Sequence, residues 1–460
     1  MSKDMRTWIT QLEKAGEMIT IRQSVDPLRQ MGALLSQSGE KALFFQDLKG
    51  FPGWRSLGQG VANLRHAALA FDTSLERLTA DFAQRLHERV PCRKVTGGPV
   101  KEIVQKGDQV DLGSLPFHVN GAHDAAPYIT SGMVVTKDPG SGVQNTAMYR
   151  MQVRDRSHTG IMSSPNHHAS HHLRKYEERN EPMPVAVVIG HHPAYYFAAT
   201  AILPYDQDEM ELAGALLGEP VRRVACETIP LEVPCDAEIV IEGLVHPGVR
   251  EDEGPFVEFQ DYAGGEAGKK PVIEVQAITM RKDAIYKHVQ NGAGVEGAIY
   301  AFLPAAAEAM DSIRKQANYL NVHNVVLLRG GFGAVVQMTP RFPGEAKVAM
   351  MIAAAGTLPK VVVAVDEDVN IFNTDDVFWA INTRVNPEKD ITVIPNMYLN
   401  HLDLSAEMRE FPGSAAKPRV GGKVLIDATK PAACDVEGRR KFERILPMGT
   451  GRVRLEDFLG

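Results

Sequence analysis

Asn145-Thr-Ala-Met-Tyr-Arg-Met-Gln-Val153 sets an amide and a guanidinium at the head of a run of β-forming residues. Similar short runs recur at 132–136, 149–153, 185–189, 237–242 and 272–280, separated by Gly, Pro, Asp and Asn. They predict a mostly antiparallel sheet or barrel with a few inserted helices across the middle of the chain. Toward the amino terminus, apolar residues at helical spacing over 5–16 end at Gly16, and a strand follows. A strand over 42–45 and helices over 64–71 and 75–89 precede Gly97-Gly98-Pro99, which marks the first boundary. Beyond the β-rich part, an Ala-rich helix over 304–320 repeats Met310, Ile313 and Ala317 on one face. A strand over 325–328, a helix over 345–355 and an apolar strand over 360–365 follow. This alternation indicates a separate α/β unit. The fold expected is α/β in the broad α+β sense: a mixed region over 1–98, a β-rich domain over 99–303 and an α/β domain with a tail over 304–460.

Composition narrows the class. At 460 residues the chain exceeds what one core usually supports. Apolar residues at 44% and charged residues at 23% suit a soluble enzyme. A net charge of −7 supplies no basic surplus for phosphates, so no nucleic-acid partner is expected. No run reaches the roughly 18 apolar residues of a membrane span, and the first residues lack the apolar core of a signal peptide. Cys92, Cys226, Cys235 and Cys434 show no CxxC spacing and fit thiols of a reducing cytoplasm.

Charged and amide groups within apolar segments are costly unless paired or bound to a ligand. Three clusters stand out on that ground. In the first, His167, His168, His171 and His172 form i, i+4 pairs, the spacing of zinc hydrolases, but lack the Glu that those enzymes place beside the first His. In the second, Asp206, Asp208 and Glu209 precede a helical run over 210–217. They suit an ordinary helix start, or one of them joins an Asn and a His around Mn²⁺ or Mg²⁺. In the third, Glu253 and Glu258 are five apart, which a regular strand would send to opposite faces. Gly254-Pro255 breaks that regularity, so a turn can bring both to one site, and Glu251 and Asp252 add charge that favours a protonated neighbour. The alternative is a solvated acidic hairpin loop. Gly421-Gly422-Lys423 adds a lysine beside backbone able to approach a phosphate, and Gly330-Gly331-Phe332-Gly333 reads as a hairpin or a second such loop.

In order along the chain, Asn145-x4-Arg150, Pro165–His168, Glu209 in its acidic turn, Cys226-Glu227-Thr228 before Val233-Pro234, Glu253-Gly-Pro-Phe-x-Glu258 and Gly421-Gly422-Lys423 resemble the UbiD family of reversible decarboxylases. The likeness runs along nearly the whole chain. It implies a carboxy-lyase that uses prenylated FMN in a split-barrel-like central domain, with a carboxyl-terminal domain that pairs copies into a homodimer or larger assembly. It places Mn²⁺ on Asn145, His168 and Glu209, with K⁺ nearby and Lys423 as a further phosphate contact. Thr130, Ala147, Met148, Arg150, His167, Thr200, Ala201 and Leu203 fall where the family lines its cofactor. Glu253, Arg150 and Glu258 match its catalytic network, with Glu258 as the acid. Departures occur at Ala147, Ala199 and Thr200, where some relatives have serines, and at His167, where cinnamate-type members have glutamine.

The implied partners are a small carboxylic acid and a flavin prenyltransferase that supplies the cofactor. Loss of CO₂ leaves charge on carbon that no side chain can take up, so a cofactor is chemically required. The loop 288–296 and Phe259, Phe372 and Phe378 are candidates for shaping the substrate pocket. A zinc hydrolase centred on 167–172 and a non-catalytic flavin carrier are the rival readings.

Overall fold

The structure, a computed structural model, describes residues 3–263, 268–410, 418–450 and 452–458. Two compact units result: one holds residues 1–311, 327–332 and 400–405, the other 312–326, 333–399 and 406–460.

The first unit is built on a seven-stranded antiparallel sheet. Its path runs His158–Gly160, Gly268–Met280, Ile239–Glu253, Met183–Ile189, Met133–Lys137 and Gln144–Met148, and Ile103–Lys106 adds to Gly268–Met280. The sheet is open, so the barrel alternative gives way to an open sheet among the described residues. Met183–Ile189 explains its stability. Successive side chains of a strand face opposite ways. Val185, Val187 and Ile189 accordingly enter one core, with Ile239, Ile241 and Ile273. Ala186 and Val188 enter the other, with Met133, Val135, Tyr196 and Phe197. A strand buried on both faces must be apolar throughout, as this one is.

The amino-terminal helix Met5–Lys14 buries Met5, Trp8 and Leu12 and is capped by Asp4, and Gly16 adopts φ +68° just beyond it. The strand that follows, Met18–Ile21, joins Ala42–Phe45 and Arg55–Gly58 in a four-stranded sheet. The fourth strand of that sheet is Ile285–His288, drawn from more than two hundred residues away to pair with Arg55–Gly58. Both paired segments lie in the first compact unit.

Two elements differ from expectation for local reasons. The strand expected at 149–153 lies earlier, at Gln144–Met148. Its ladder ends at Met148↔Met133, and Tyr149 and Arg150 leave the sheet before the short Met151–Gln152 pairing. The helix expected to start at Pro304 runs from Glu296 to Gln316 with Pro304 inside it. Proline has no N–H for the carbonyl four residues back, which is that of Tyr300. The Thr200 hydroxyl donates to that carbonyl at 2.5 Å, so the interior proline is tolerated.

The second unit carries a six-stranded sheet in which Gly333–Met338, Val361–Val365 and Arg419–Ala428 run parallel and Ile391–Leu399 pairs antiparallel at the edge. Gly421 and Gly422 lie within the strand, opposite a bulge between Ile394 and Met397, rather than in a loop before it. No helix of the described residues is long and apolar enough to cross a membrane.

Candidate active site

Arg150 leaves the end of the edge strand and turns back toward the sheet. Its Nε donates to Glu253 Oε1 at 3.1 Å and its Nη2 to Glu253 Oε2 at 2.9 Å. Its Nη1 donates to Glu258 Oε1. The guanidinium carbon stands 4.8 Å from the centroid of the Phe256 ring. Glu253 closes the strand Ile239–Glu253, after which Gly254, at φ +93°, reverses the chain where a side chain would be strained. That reversal brings Glu258 back to the guanidinium that Glu253 already holds. The solvated-loop alternative fails here: Glu253 is 1% exposed and Glu258 14%.

The electrostatics divide the two carboxyl groups. Burial pushes Glu258 up to about 7; Arg150 opposes this and Glu253 reinforces it. Glu258 thus retains its proton to higher pH than an ordinary carboxyl group, the condition for a proton donor. Burial alone would lower the Arg150 guanidinium, but its bonds to Glu253 and the charge of Glu258 carry it upward. It stays cationic at all working pH.

A second polar cluster forms at the other end of the same stretch. Asn145 Nδ2 donates to Glu209 Oε1 at 2.7 Å and lies 3.2 Å from His168 Nδ1. His168 Nδ1 is 4.0 Å from Glu209 Oε1. Glu209 Oε2 accepts the Thr146 N–H at 2.7 Å. Asp208 caps the helix Glu209–Leu217, which places Glu209 in its first turn against the edge strand. Two observations suit a hard cation here. The buried Asn145 Oδ1 has no hydrogen-bond partner, and burial pushes the Glu209 carboxyl up to about 8, so a cation facing it would hold it ionised. No group of three His, Cys, Asp or Glu side chains disposed to hold a metal occurs among the described residues; this cluster draws its third donor from an amide.

The four histidines part company. His167 occupies the N-cap position of the helix His168–Glu178 without a side-chain capping bond, and its ring stacks on Tyr149 with centroids 5.4 Å apart. His171 accepts from Arg174 Nη2 at 2.7 Å on the exposed side, and His172 is buried against Thr136 Oγ1 at 2.9 Å. Among the described residues they form no group of three side chains disposed to hold a metal, which removes the ground for a zinc hydrolase.

Of the remaining candidates in this unit, Thr130, Ala201 and Leu203 are buried, and Ala147 and Met148 lie half-buried on the edge strand. Thr200 is half-buried with its hydroxyl bound to backbone carbonyls. Lys423 belongs to the second unit and is buried there, its ammonium donating to the Ala354 and Gly356 carbonyls. Within the loop 288–296, His288 pairs with His118 at 3.1 Å, and Glu296 accepts from Lys287 at 2.5 Å and Tyr300 at 2.8 Å. Asn291 lines a cavity of about 520 Å³ together with Gln290 and Val257. Phe259 packs on Phe302 and Phe332. Phe372 and Phe378 lie in the second unit. Sequence reasoning missed Tyr149 as the support of His167, although its aromatic ring beside Arg150 was a visible signal.

The chain matches the models of three domains of 3-octaprenyl-4-hydroxybenzoate carboxy-lyase: the N-terminal domain over residues 9–86, the Rift-related domain over 93–293 and the C-terminal domain over 299–428. It is 31% identical over 464 residues to a phenolic acid decarboxylase of Bacillus subtilis (strain 168), covering 95% of this chain and 94% of that protein. Among solved structures it is similar to the UbiD-class enzyme HmfF from Pelotomaculum thermopropionicum in complex with FMN, at a TM-score of 0.91 and 35% identity over 99% of this chain and 100% of that one. An evolved dimeric form of the same enzyme in complex with prFMN gives a TM-score of 0.88 at 34% identity over all of both chains (100% and 100%).

Proposed function

The chain belongs to the UbiD family of carboxy-lyases, and from that premise we propose that it is a reversible, non-oxidative decarboxylase of an aromatic, heteroaromatic or α,β-unsaturated carboxylic acid, using prenylated FMN. The observation that carries this reading is the Arg150 guanidinium held between the buried carboxyl groups of Glu253 and Glu258. When bound, the modified flavin supplies the electron sink for the charge that departing CO₂ leaves on carbon. Everything else falls to the protein.

Glu253 fixes the plane of the guanidinium through a bidentate contact. Three of the Arg150 donors are engaged in the site, and a guanidinium has five, so donors remain to orient the substrate carboxylate. Glu258, protonated below about 7, gives its proton to the carbon that has lost CO₂. Arg150 then stabilises the carboxylate so formed. In the reverse direction the same carboxylate takes the proton back.

Asn145, His168 and Glu209 would hold a divalent cation, manganese in this reading, whose charge would favour an anionic cofactor group. Thr130, Ala147, Met148, His167, Thr200, Ala201 and Leu203 would line the flavin.

The test is co-production with a flavin prenyltransferase, loading with Mn²⁺ and a panel of such acids assayed for CO₂ release. At least one class should turn over; inactivity of the loaded protein across the panel contradicts the proposal. The same reading makes the chain a homodimer or larger homo-oligomer. Val393 and Tyr398, 63% and 52% exposed on the edge strand Ile391–Leu399, are residues that pairing would cover. Light scattering should return at least twice the mass of one chain, and a monomeric mass at micromolar concentration would rule this out.

A further inference from the structure

The residue that must hand over a proton stands on a short turn outside the sheet. Its own bonds close that turn: the Glu258 N–H donates to the Tyr262 carbonyl at 2.9 Å and the Asp261 N–H to the Glu258 carbonyl at 3.0 Å. Neither bond ties the turn to the segment ahead of Arg150. Asp124 does so. Its Oδ1 accepts the Val257 N–H at 2.9 Å, while its Oδ2 accepts the N–H groups of Asn120 and Gly121, both at 3.0 Å. One residue further, the Ala125 N–H donates to the Pro255 carbonyl at 3.0 Å. The chain is thus gripped on both sides of Phe256, the ring that lies under the guanidinium.

Packing fixes the same point from two more directions. A Cβ at Gly121 would stand 3.0 Å from Val257 Cβ, and one at Gly292 would stand 2.8 Å from Val257 Cγ2. Val257 therefore fits only because both neighbours lack side chains. It bridges to Ala263 in antiparallel pairing, and successive residues of an extended segment face opposite ways. Holding Val257 between the two glycines leaves Glu258 directed at Arg150.

We propose that Asp124 is the positioning residue of the proton donor: by clamping the Val257 N–H it holds Glu258 against Arg150. This rests on Glu258 as the acid. Three charged groups face Glu258: Arg150 and Glu253 from the sheet side and Asp124 from the loop before it. Tyr128 in turn faces Glu253. The Asp124 charge adds to burial and to Glu253 in keeping the proton on Glu258. Removing that charge lowers the pH at which Glu258 ionises, so the alkaline fall in rate moves to lower pH.

The experiment uses the full chain labelled with δ-¹³C glutamate, the Glu258 signal being assigned by its absence in Glu258→Gln. In the unsubstituted protein the signal should titrate near 7. In Asp124→Ala it should titrate at lower pH, because the Asp124 charge no longer holds the proton on Glu258. In the loaded enzyme, kcat of that variant should fall about tenfold or more with KM and flavin content nearly unchanged. Asp124→Asn keeps one acceptor for the Val257 N–H without the charge; it should recover part of kcat while its titration stays low, and it carries the test if Asp124→Ala does not fold. An unchanged titration together with unchanged kcat in a folded variant overturns the role of Asp124. A Glu258 signal at the ordinary carboxyl value in the unsubstituted protein instead overturns the assignment of the acid itself.

Discussion

Glu258→Gln, loaded with prenylated FMN and manganese, is expected to lose decarboxylation by at least the ~10²–10⁴-fold that a positioned acid contributes. The amide is nearly the same size and still accepts from Arg150 Nη1, so flavin content and thermal stability should stay close to those of the parent. The loss arises because the amide has no proton to give at any working pH. Exchange is the sharper assay. The parent in D₂O should place one deuterium on the product carbon that lost CO₂ and should also exchange hydrogen at that carbon in added product. The glutamine variant should do neither. Retained exchange would take the acid role away from Glu258.

Arg150→Met should fail in two ways at once. It removes the group that orients the substrate carboxylate, and it strands Glu253, which is 1% exposed and whose bidentate partner is Arg150. Breaking a buried pair from one side typically costs about 3–5 kcal/mol, because the remaining charge has no compensation. Denaturant melts should show that loss. Replacing both partners, Arg150→Met with Glu253→Met, removes the uncompensated charge and should recover much of the stability with none of the activity. If the single variant is as stable as the parent, Arg150 and Glu253 do not form a buried ion pair. Arg150→Lys should not rescue turnover either, since a single ammonium cannot make a bidentate contact with Glu253 and still reach Glu258.

The sequence made some of this legible and concealed the rest, for physical reasons. Met183–Ile189 was visible because a strand with a core on each face must be apolar at every position. The turn after Glu253 was visible because Gly254-Pro255 interrupts any regular spacing of the two carboxyl groups. The ladder between Arg55–Gly58 and Ile285–His288 could not be read, since nothing local records which distant strand a strand will meet. The start of the helix Glu296–Gln316 is hidden in the sequence because proline normally opens a helix, and the hydroxyl that satisfies the Tyr300 carbonyl comes from Thr200, a hundred residues earlier. Convergence of Asn145, His168 and Glu209 was drawn from resemblance alone, because three donors on a strand and two helix starts share no periodicity. Asp124 carried no signal whatever: an aspartate among Gly, Ala and His reads as an ordinary turn, and only the fold brings the Val257 N–H to it.

The most direct measurement is anomalous diffraction at the manganese edge from crystals of the protein carrying Mn²⁺ and prenylated FMN. A single strong peak bounded by Asn145, His168 and Glu209, with the flavin ring extending from there toward Arg150 and Glu258, is the result expected. A peak elsewhere, or a flavin whose ring lies away from Arg150, would contradict the account.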